Sequence, residues 1–492
     1  MLPYATLLPL NRHAATSLSQ QLTTGLIHLM QQGLLAARDP LPGTRTLARL
    51  LAVHRQTVVV AFDELEAQGW IEQRSCRAAV VSSRLPTVAP QPFQSEAARH
   101  IAPRAAFSYP KSRPAAAPRP AAPLPLTLSS TPDSRLAPLA ALARKYRALC
   151  LQPARRHLLG YAGANGSLAL RQQLAEHLRA TRGLPAQPEN VAITRGGTMS
   201  LFLLAQLLLQ PGDAVVVGQR SYHGADRAFL VQGARLHRVG VDAQGLCIEE
   251  LAALCKQQAV RLVYVTPHHH YPTTVTLSAE RRVRLLQLAT QHDFIILEDD
   301  YDFDFHYDGA PILPLASTDR TGRVLYMGSL SKVLAPAFRV GYIVAPADVV
   351  EELGHWQRRI DRQGDTVLEQ GIAELFAEGE MGTHLKRARL AYHQRRDVFC
   401  QLLGEQLPAW FTFEAPTGGL AVWGRFADCV DLPEVARQCQ RQGLGISDGK
   451  LYQTAVEASP FHVRLGFAAL NSEELAQSIR ILSQVLQHLY PG

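Results

Sequence analysis

The sequence predicts a multidomain protein that joins a small α+β domain at the N-terminus to a larger α/β domain. A chain of 492 residues exceeds the size of one ordinary domain. The first part of the chain shows apolar residues at helical spacing and then two short runs typical of strands. From about residue 126 onward, apolar runs alternate with helical patterns, which is typical of a mostly parallel sheet covered by helices.

Three helices and two strands are predicted in the N-terminal domain. The first helix carries leucines at helical spacing and ends before a break at 33–43 that is rich in Gly and Pro. A short second helix follows, with Thr44 as its N-cap. The third helix begins near Arg55 and buries an apolar face made of Val58, Ala61, Phe62 and Leu65. The two strands are expected at 70–74 and 78–81.

This order of elements is that of a winged helix-turn-helix, in which the third helix enters the major groove of DNA. Residues 1–120 contain 13 Arg and Lys against 6 Asp and Glu, so they carry +7 of the total charge of +8. A basic end of this kind favours double-stranded operator DNA as a partner. The alternative is a helical bundle whose arginines are only solvated. The predicted base contacts are Arg55, Gln56 and Thr57, and the predicted phosphate contacts are Arg45, Arg74 and Arg77.

The same stretch resembles the DNA-binding domain of the GntR family. The matching motifs are Pro-Gly-Thr-Arg-x-Leu-Ala at 42–48, His-Arg-Gln-Thr-Val at 54–58 and Ala-Phe-x-x-Leu-x-x-x-Gly-Trp-Ile at 61–71. The family's wing usually has a glycine-rich tip, whereas this chain has Ser-Cys-Arg-Ala-Ala at 75–79. The resemblance therefore implies the helix contact with DNA but leaves the minor-groove contact of the wing in doubt.

A linker at 83–125 is predicted between the DNA-binding domain at 1–82 and a second domain at 126–492. The segment is dominated by Pro and Ala and has no sustained apolar period. Such a sequence favours extended, polyproline-like conformers that rise about 3.1 Å per residue, so it could reach across a partner subunit. The alternative, for part of the segment, is an arm packed on the large domain.

Cysteine usage and hydropathy favour a cytoplasmic protein. The seven cysteines are scattered without a CxxC pair, which favours reduced thiols over a disulfide framework or a zinc site. The N-terminus lacks the basic start and cleavage site of a secretory signal. The longest apolar run, 201–209, is too short to cross a bilayer, so no membrane partner is expected.

The large domain contains a lysine in a setting that packing explains poorly. Lys332 follows the apolar run 324–327 and lies among small and hydroxyl-bearing residues. A lysine amine in a partly desolvated pocket loses its proton easily and can form a Schiff base with an aldehyde. Ser329, Ser331 and Arg339 could hold a phosphate. An aldehyde that carries a phosphate is pyridoxal 5'-phosphate (PLP). The alternative is an exposed lysine on a Ser/Gly loop.

Two other segments follow predicted strands and could contact the same cofactor. A carboxylate after the strand 294–298 could pair with the pyridine nitrogen of PLP, and Tyr301 could bond the ring hydroxyl. Gly197 and Thr198 open a helix whose backbone N–H groups could bind the phosphate. Several acidic residues crowd the first segment, and as a bare cluster they could be solvated charges or a metal site.

The ordered set of segments resembles the fold-type-I PLP-dependent aminotransferases over nearly all of 126–492. The resemblance implies an α/β fold with a small C-terminal α+β subdomain from about residue 395. It also implies a homodimer with shared sites. The roles that it implies are Asp299 on the pyridine nitrogen, Tyr222 stacked on the cofactor, Tyr161 on the phosphate of the neighbouring subunit, and Arg464 on a substrate or effector carboxylate.

One motif departs from that family. Where many members have Asn-Pro-Thr-Gly, this chain has His-His-His-Tyr-Pro-Thr-Thr at 268–274. Tyr271 then stands in place of the asparagine and Thr274 in place of the glycine, so efficient transamination is less assured. Three adjacent histidines cannot easily face one ion, so the prediction is that no metal binds, with a histidine metal site as the alternative.

A GntR-like domain, a Pro/Ala tether and an aminotransferase-like domain in one chain resemble the MocR-like regulators. The resemblance implies a PLP-dependent bacterial transcriptional regulator that binds DNA as a homodimer with a head-to-tail arrangement. The effector would be PLP itself, an amine or an amino acid. The competing hypothesis is an active aminotransferase with an appended DNA-binding module, and a third is a large domain that serves only as a dimerisation scaffold.

Overall fold

The computed structural model describes residues 2–12, 14, 16–72, 78–83, 105–108, 124–310, 312–454, 457 and 459–491. The chain divides into two compact units, Met1–Ala117 and Pro118–Gly492. The predicted DNA contacts Arg74 and Arg77 lie outside the described residues, as does most of the predicted linker at 83–125.

Four helices form the first unit: α1 Tyr4–Leu7, α2 Leu18–Gln31, α3 Thr44–Leu50 and α4 Arg55–Ala67. The third predicted helix therefore begins at the expected Arg55, and its predicted apolar face is at most 2% exposed. The prediction of Thr44 as an N-cap is wrong by one residue. Gly43 occupies the N-cap with extended backbone angles, and Thr44 is already helical.

Two short strands complete the first unit, β1 Ile71–Glu72 and β2 Val80–Val81, and they pair antiparallel. Strand β2 also pairs on its other side with the segment 38–41, where the N–H of Leu41 donates to the carbonyl oxygen of Ala79 at 2.8 Å. This small sheet follows three packed helices in the predicted order, which confirms the winged helix-turn-helix.

The second unit alternates strands and helices. Its strands are β3 Leu126–Thr127, β4 Val191–Thr194, β5 Ala214–Gly218, β6 Arg235–Val239, β7 Val241–Asp242, β8 Gly245–Leu246, β9 Leu262–Val265, β10 Ile295–Asp300, β11 Val324–Ser329, β12 Gly341–Val344, β13 Phe411–Phe413, β14 Ala421–Phe426, β15 Leu444–Gly445 and β16 His462–Gly466. Its helices are α5 Leu139–Leu151, α6 Leu168–Arg182, α7 Gly197–Leu208, α8 His223–Val231, α9 Ile248–Gln257, α10 Ala279–His292, α11 Leu315–Thr318, α12 Ala347–Ile360, α13 Thr366–Ala377, α14 Glu380–Gln406, α15 Leu432–Arg441 and α16 Ser472–Leu489. Among the described residues, none of the helices combines the length and apolar character needed to cross a membrane.

Seven strands form the central sheet in the order β4-β12-β11-β10-β9-β5-β6. Strands β6, β5, β9, β10 and β11 pair in parallel, and β12 is antiparallel to both of its neighbours. The mostly parallel sheet is therefore confirmed. Strands β4, β5, β9, β10, β11 and β12 are buried along their whole length or nearly so, which explains their uninterrupted apolar runs. The sequence does not predict β6, because this edge strand has a single buried residue and carries Arg and His.

A smaller sheet, β13-β14-β16, forms a second core with the C-terminal helices. Its strands are antiparallel, and buried aromatic side chains pack between the sheet and α14, among them Phe399, Phe411, Phe426 and Phe467. The predicted start of a subdomain near residue 395 falls inside α14, which is one continuous helix. Strand β3 pairs with β15, so the chain immediately after the predicted linker joins this part of the unit.

Candidate functional site

The predicted site residues of the larger unit lie around the carboxyl ends of the parallel strands β10 and β11, where sites form in sheets of this kind. Strand β11 ends at Ser329, and Lys332 lies three residues beyond it, as the sequence suggests. Asp299 lies inside β10 rather than after it. The strand is longer than its apolar run because its ladder with β11 continues as far as Asp300.

The amine of Lys332 lies in a protein environment that favours its neutral form. Its Nζ atom donates a hydrogen bond to the backbone carbonyl oxygen of Ser130 at 2.8 Å. Burial is the main reason that the pKa of Lys332 falls from 10.5 to about 8; the positive charge of Arg464 lowers it further, and Asp302 opposes the shift. Because the neutral amine is the nucleophile that attacks an aldehyde, this environment prepares Lys332 for the predicted chemistry.

We expect Lys332 of the PLP-free protein to titrate near pH 8, because its charged form is desolvated. Competitive acetylation by acetic anhydride over a range of pH, with mass spectrometry of the Lys332 peptide, measures this pKa. The exposed Lys386 on α14 serves as the internal reference for reagent and pH effects. A midpoint near 10.5 for Lys332 would contradict the burial of its amine.

Asp299 is a buried carboxylate suited to a cationic partner. The hydroxyl of Tyr264 donates to its Oδ2 atom at 2.7 Å. Burial raises the pKa of Asp299 to about 7; the bond from Tyr264 lowers it, and the nearby charge of Asp300 raises it. A carboxyl in this state becomes fully ionised when a cation pairs with it, and the protonated pyridine nitrogen of PLP is such a cation.

Three tyrosine rings lie close together beside Asp299. The ring of Tyr222 meets that of Tyr271 edge-on with centroids 5.3 Å apart, and its side chain interacts with Thr198. The ring of Tyr301 also meets Tyr271 edge-on, at 6.5 Å, and its hydroxyl donates to the backbone carbonyl oxygen of His269 at 2.9 Å. The tyrosine hydroxyl can still accept a hydrogen bond from a ligand.

The predicted phosphate contacts meet at the start of α7. The helix begins at Gly197, and its N-cap residue Gly196 has no side chain, so the N–H groups of the first turn, including that of Thr198, are suited to an anion. Gly196 has a φ of 82°, and a Cβ added there would lie 2.9 Å from Nη2 of Arg339. That Nη2 atom donates to the carbonyl oxygen of Arg195 at 3.0 Å. Only glycine therefore lets the guanidinium approach this helix terminus.

The two serines before the lysine shape the turn that follows β11. The Oγ atom of Ser329 accepts a hydrogen bond from the backbone N–H of Ser331 at 3.1 Å. This contact fixes the turn on which Lys332 is carried. Both serines are half-buried, so their hydroxyl groups remain close enough to the site to contact a ligand.

Arg464 is a buried cation with free hydrogen-bonding capacity. It lies on β16 opposite Trp423 of β14 and is 6% exposed. Its Nε and Nη2 atoms have no hydrogen-bond partner among the residues that the structure describes. Its guanidinium carbon lies 5.3 Å from the centre of the Tyr271 ring. Burying charged donors without a partner costs free energy, so we expect these two donors to bind a ligand. The predicted carboxylate of a substrate or effector has the acceptor atoms that they need.

Sequence reasoning misses three residues that contact the site. Ser130 binds the amine of Lys332, although it lies 202 positions earlier in the chain. Tyr264 looks like an ordinary core residue of β9. The hydroxyl of Tyr452, which comes from a loop without a recognisable motif, lies 3.4 Å from that of Tyr271. Spacing along the sequence gives no signal for such contacts.

Two of the predicted residues lie in unusual positions. Tyr161 is 82% exposed, and its ring lies under the guanidinium of Arg362 at 4.1 Å, so the fold does not bring it to the site of its own chain. Thr274 has a φ of 64°, a left-handed conformation that is unfavourable for a β-branched residue. This backbone explains why glycine is common at the corresponding position of the related motif.

In the first unit, the predicted base contacts occupy the first turn of α4. His54 caps this helix, since its Nδ1 atom accepts a hydrogen bond from the N–H of Gln56 at 3.3 Å. Arg55 and Gln56 are exposed, and Thr57 is half-buried. Arg45 is exposed in the first turn of α3. These four side chains are therefore accessible to a DNA duplex.

Comparison with known proteins identifies both units. Residues 18–81 match the family described as bacterial regulatory proteins, gntR family, and residues 131–482 match aminotransferase class I and II. The probable rhizopine catabolism regulatory protein MocR of Rhizobium meliloti is 30% identical over 480 residues, which cover 97% of this chain and 95% of that protein. The HTH-type transcriptional regulator TauR of Rhodobacter capsulatus is 29% identical over 485 residues, or 94% and 96% of the two chains. An archaeal alanine:glyoxylate aminotransferase structure matches 75% of this chain and 92% of its own, with 31% identity and a TM-score of 0.70.

The fold and the site define a DNA-binding protein built on a PLP-dependent aminotransferase fold. The chain belongs to the MocR-like regulators of the GntR family. Its cofactor is PLP, and the residues present fit that group: a lysine with a lowered pKa, a buried carboxyl, and a glycine-lined helix start beside an arginine.

Proposed function

We propose that this transcriptional regulator senses an amino acid through its aminotransferase-like domain and changes its affinity for operator DNA in response. The observation that carries the proposal is Arg464, whose two free donors, unpartnered within the described part of the chain, lie in the electrostatic environment of Lys332. An amino acid brings a carboxylate for the guanidinium and an amine for the cofactor that Lys332 holds.

Different residues would bind different groups of the cofactor. When bound, PLP supplies an electrophilic aldehyde and a ring that withdraws electrons. Lys332 would form the covalent link, Asp299 would pair with the pyridine nitrogen, and Tyr301 would contact the ring hydroxyl. Tyr222 would stack on the ring. The phosphate would be bound by Gly197, Thr198, Ser329, Ser331 and Arg339.

We infer that the effector enters beside Tyr452. A cavity of about 570 Å³ is lined in part by Arg220 and Tyr452, and Arg220 donates to the backbone carbonyl oxygen of Tyr452 at 3.0 Å. The hydroxyl of Tyr452 is close to Tyr271, which lies under the guanidinium of Arg464. A carboxylate on Arg464 would therefore lie next to the Tyr271–Tyr452 pair.

We further propose a head-to-tail homodimer in which Tyr161 contacts the phosphate of the neighbouring subunit's PLP. Tyr161 is exposed in one chain, and three apolar side chains near it in sequence are also exposed: Leu151 by 69%, Leu159 by 61% and Leu168 by 53%. Several exposed large apolar side chains in one short stretch of chain favour a protein partner. In such a dimer, the 83–125 linker would connect each DNA-binding domain to the shared body in the cytoplasm.

The effector can change DNA binding only if it binds two arrangements of the protein unequally. We propose that these arrangements differ in how the linker positions the two DNA-reading helices. In each helix, Arg55, Gln56 and Thr57 contact bases, while Arg45 contacts phosphate; Arg74 and Arg77 are proposed as further phosphate contacts on the wing.

Arg55→Ala is expected to weaken operator binding roughly 5- to 150-fold, since a good base contact contributes about 1–3 kcal/mol. Fluorescence anisotropy with the operator and with a scrambled duplex measures both affinity and specificity. Arg480→Ala removes an exposed arginine from α16 and controls for net charge. Equal affinity in the two variants would contradict the assignment of Arg55, and the PLP absorption should be the same in both.

The sensing proposal is tested by titrating the PLP-loaded protein with amino acids and with the amines that lack their carboxylates. Visible absorption reports contact with the cofactor, and anisotropy reports operator affinity. An amino acid that changes both, while its matching amine does so far less, supports the proposal. A change in absorption without a change in DNA affinity overturns it. If only added PLP alters DNA binding, PLP itself is the effector.

A working aminotransferase remains a second candidate function, because Lys332, Asp299 and Arg464 are all retained. Steady formation of a keto acid from an amino acid, with a second keto acid as acceptor, would support it. The chain departs from the common motif at Tyr271 and at the strained Thr274, which favours regulation over rapid turnover.

A further inference from the structure

Three histidines meet beneath the PLP site in a cluster that cofactor binding does not explain. His268 and His269 follow β9, and His306 follows β10 and its loop. One potential ligand nitrogen of each ring lies within 4.8 Å of the other two. His268 and His269 are 4% and 1% exposed, whereas His306 is only half-buried. The cluster therefore has a closed inner side and one side through which an ion can enter.

The ring nitrogens of this cluster are available to a ligand. Within the described ranges, neither nitrogen of His268 has a hydrogen-bond partner, and Nε2 of His269 and Nδ1 of His306 also lack one. Burying ring nitrogens without hydrogen-bond partners costs folding free energy, and a bound metal ion would give these nitrogens a partner.

Asp302 orients one of the three rings for metal binding. Its Oδ1 atom lies 2.8 Å from Nδ1 of His269. Because Nδ1 then carries the proton, the lone pair is on Nε2. A carboxylate that holds the remote nitrogen of a histidine is the usual outer partner in zinc sites. The backbone of Gly418 packs against this ring, since an added Cβ there would lie 2.4 Å from Nε2, so a larger residue would crowd that nitrogen.

We propose that His268, His269 and His306 bind one Zn²⁺ ion per chain, with a water molecule as the fourth ligand. Zinc–nitrogen bonds of about 2.1 Å separate tetrahedral ligands by about 3.4 Å. The ligand atoms lie within 4.8 Å of one another, so binding of the ion would draw the rings together by up to about 1.4 Å. The third histidine of the run, His270, takes no part, because its ring nitrogens do not belong to this group of neighbouring ligand atoms; its Nδ1 atom is instead bonded to the hydroxyl of Thr273 at 2.8 Å. Two adjacent histidines therefore converge with a distant one, an arrangement that the sequence prediction of no metal did not consider.

Charged side chains near the cluster act on a bound cation in both directions: the basic ones oppose its binding and the acidic ones favour it. Arg182 and Arg282 oppose it, since both contribute to lowering the pKa of His268. Asp302 and Asp300 offset them, and both are buried close by. The ion would tie the segment after β9 to the segment after β10. The carbonyl oxygen of His269 accepts a hydrogen bond from the hydroxyl of Tyr301. By fixing the position of His269, the ion would therefore also fix the position of Tyr301 in the PLP site.

The test uses the full-length, PLP-loaded protein without a histidine tag, and Co²⁺ as a spectroscopic substitute for Zn²⁺. We expect about one Co²⁺ per chain by equilibrium dialysis and metal analysis, with the d–d absorption of tetrahedral coordination. His306→Ala, at the half-buried position, should weaken binding at least 10-fold, and Asp302→Asn should weaken it roughly 10- to 100-fold. His355→Ala, an exposed histidine on α12, should leave it unchanged.

Three outcomes would overturn the proposal. The first is the lack of saturable binding to the wild-type protein, which does not depend on any variant folding correctly. The second is equal affinity in the wild type, His306→Ala and His355→Ala. The third is loss of Co²⁺ binding in a Lys332→Ala protein, which lacks covalent PLP, because such a loss would show that the cofactor and not the histidine cluster chelates the metal.

Discussion

Replacing Lys332 with alanine is expected to remove covalently bound PLP completely. The lysine supplies the only amine that we assign to the cofactor, and its lowered pKa of about 8 depends on the buried position that it alone occupies in the site. The purified variant should lack the visible PLP band after gel filtration. After borohydride reduction, mass spectrometry should find no PLP adduct on any peptide.

Lys386→Ala is the matched control, because Lys386 is exposed on α14 outside the site. This control should keep both the band and the adduct. The Lys332→Ala protein should retain basal operator binding, since Lys332 belongs to the larger unit and the DNA contacts to the smaller one. An unchanged band in Lys332→Ala would mean that PLP is bound to another lysine, and this result would contradict the assigned site.

Replacing Arg464 with glutamine is expected to abolish discrimination between an amino acid and its decarboxylated amine. Hydrogen bonds to charged groups contribute about 1.5–3 kcal/mol, so the apparent affinity for the amino acid should fall roughly 10- to 150-fold. The affinity for the amine should change little. Titration followed by the visible absorption of PLP measures both. The ratio of the two affinities separates carboxylate recognition from a general loss of the site.

A second measurement on the same variant checks the electrostatic argument. The positive charge of Arg464 lowers the pKa of Lys332, so removing it should raise that pKa above about 8 in the PLP-free protein. Arg425→Gln is the control, because this partly exposed arginine lies on the adjacent strand β14 and pairs with Asp428. If Arg464→Gln keeps full preference for the amino acid, another group binds the carboxylate.

The elements that the sequence predicts correctly are those whose pattern reflects burial. The buried strands β5, β9 and β11 appear as apolar runs, and α4 shows its buried face at helical spacing. The edge strand β6 escapes prediction because an exposed strand has no such pattern. The end of β10 was placed too early for a related reason: acidic residues continue the strand because its ladder with β11 continues.

The sequence by itself determined the two units and their order, and it predicted Lys332, together with Asp299 and Arg464 through the family resemblance, as the central residues of the site. Motifs of this kind are local, because a strand end and the turn after it lie within a few residues. Only the tertiary structure decided which distant groups join them. Ser130 reaches the Lys332 amine, Tyr264 the Asp299 carboxyl, and His306 the pair of adjacent histidines. Contacts between distant segments depend on how the strands and loops pack, and spacing along the chain does not encode that packing directly.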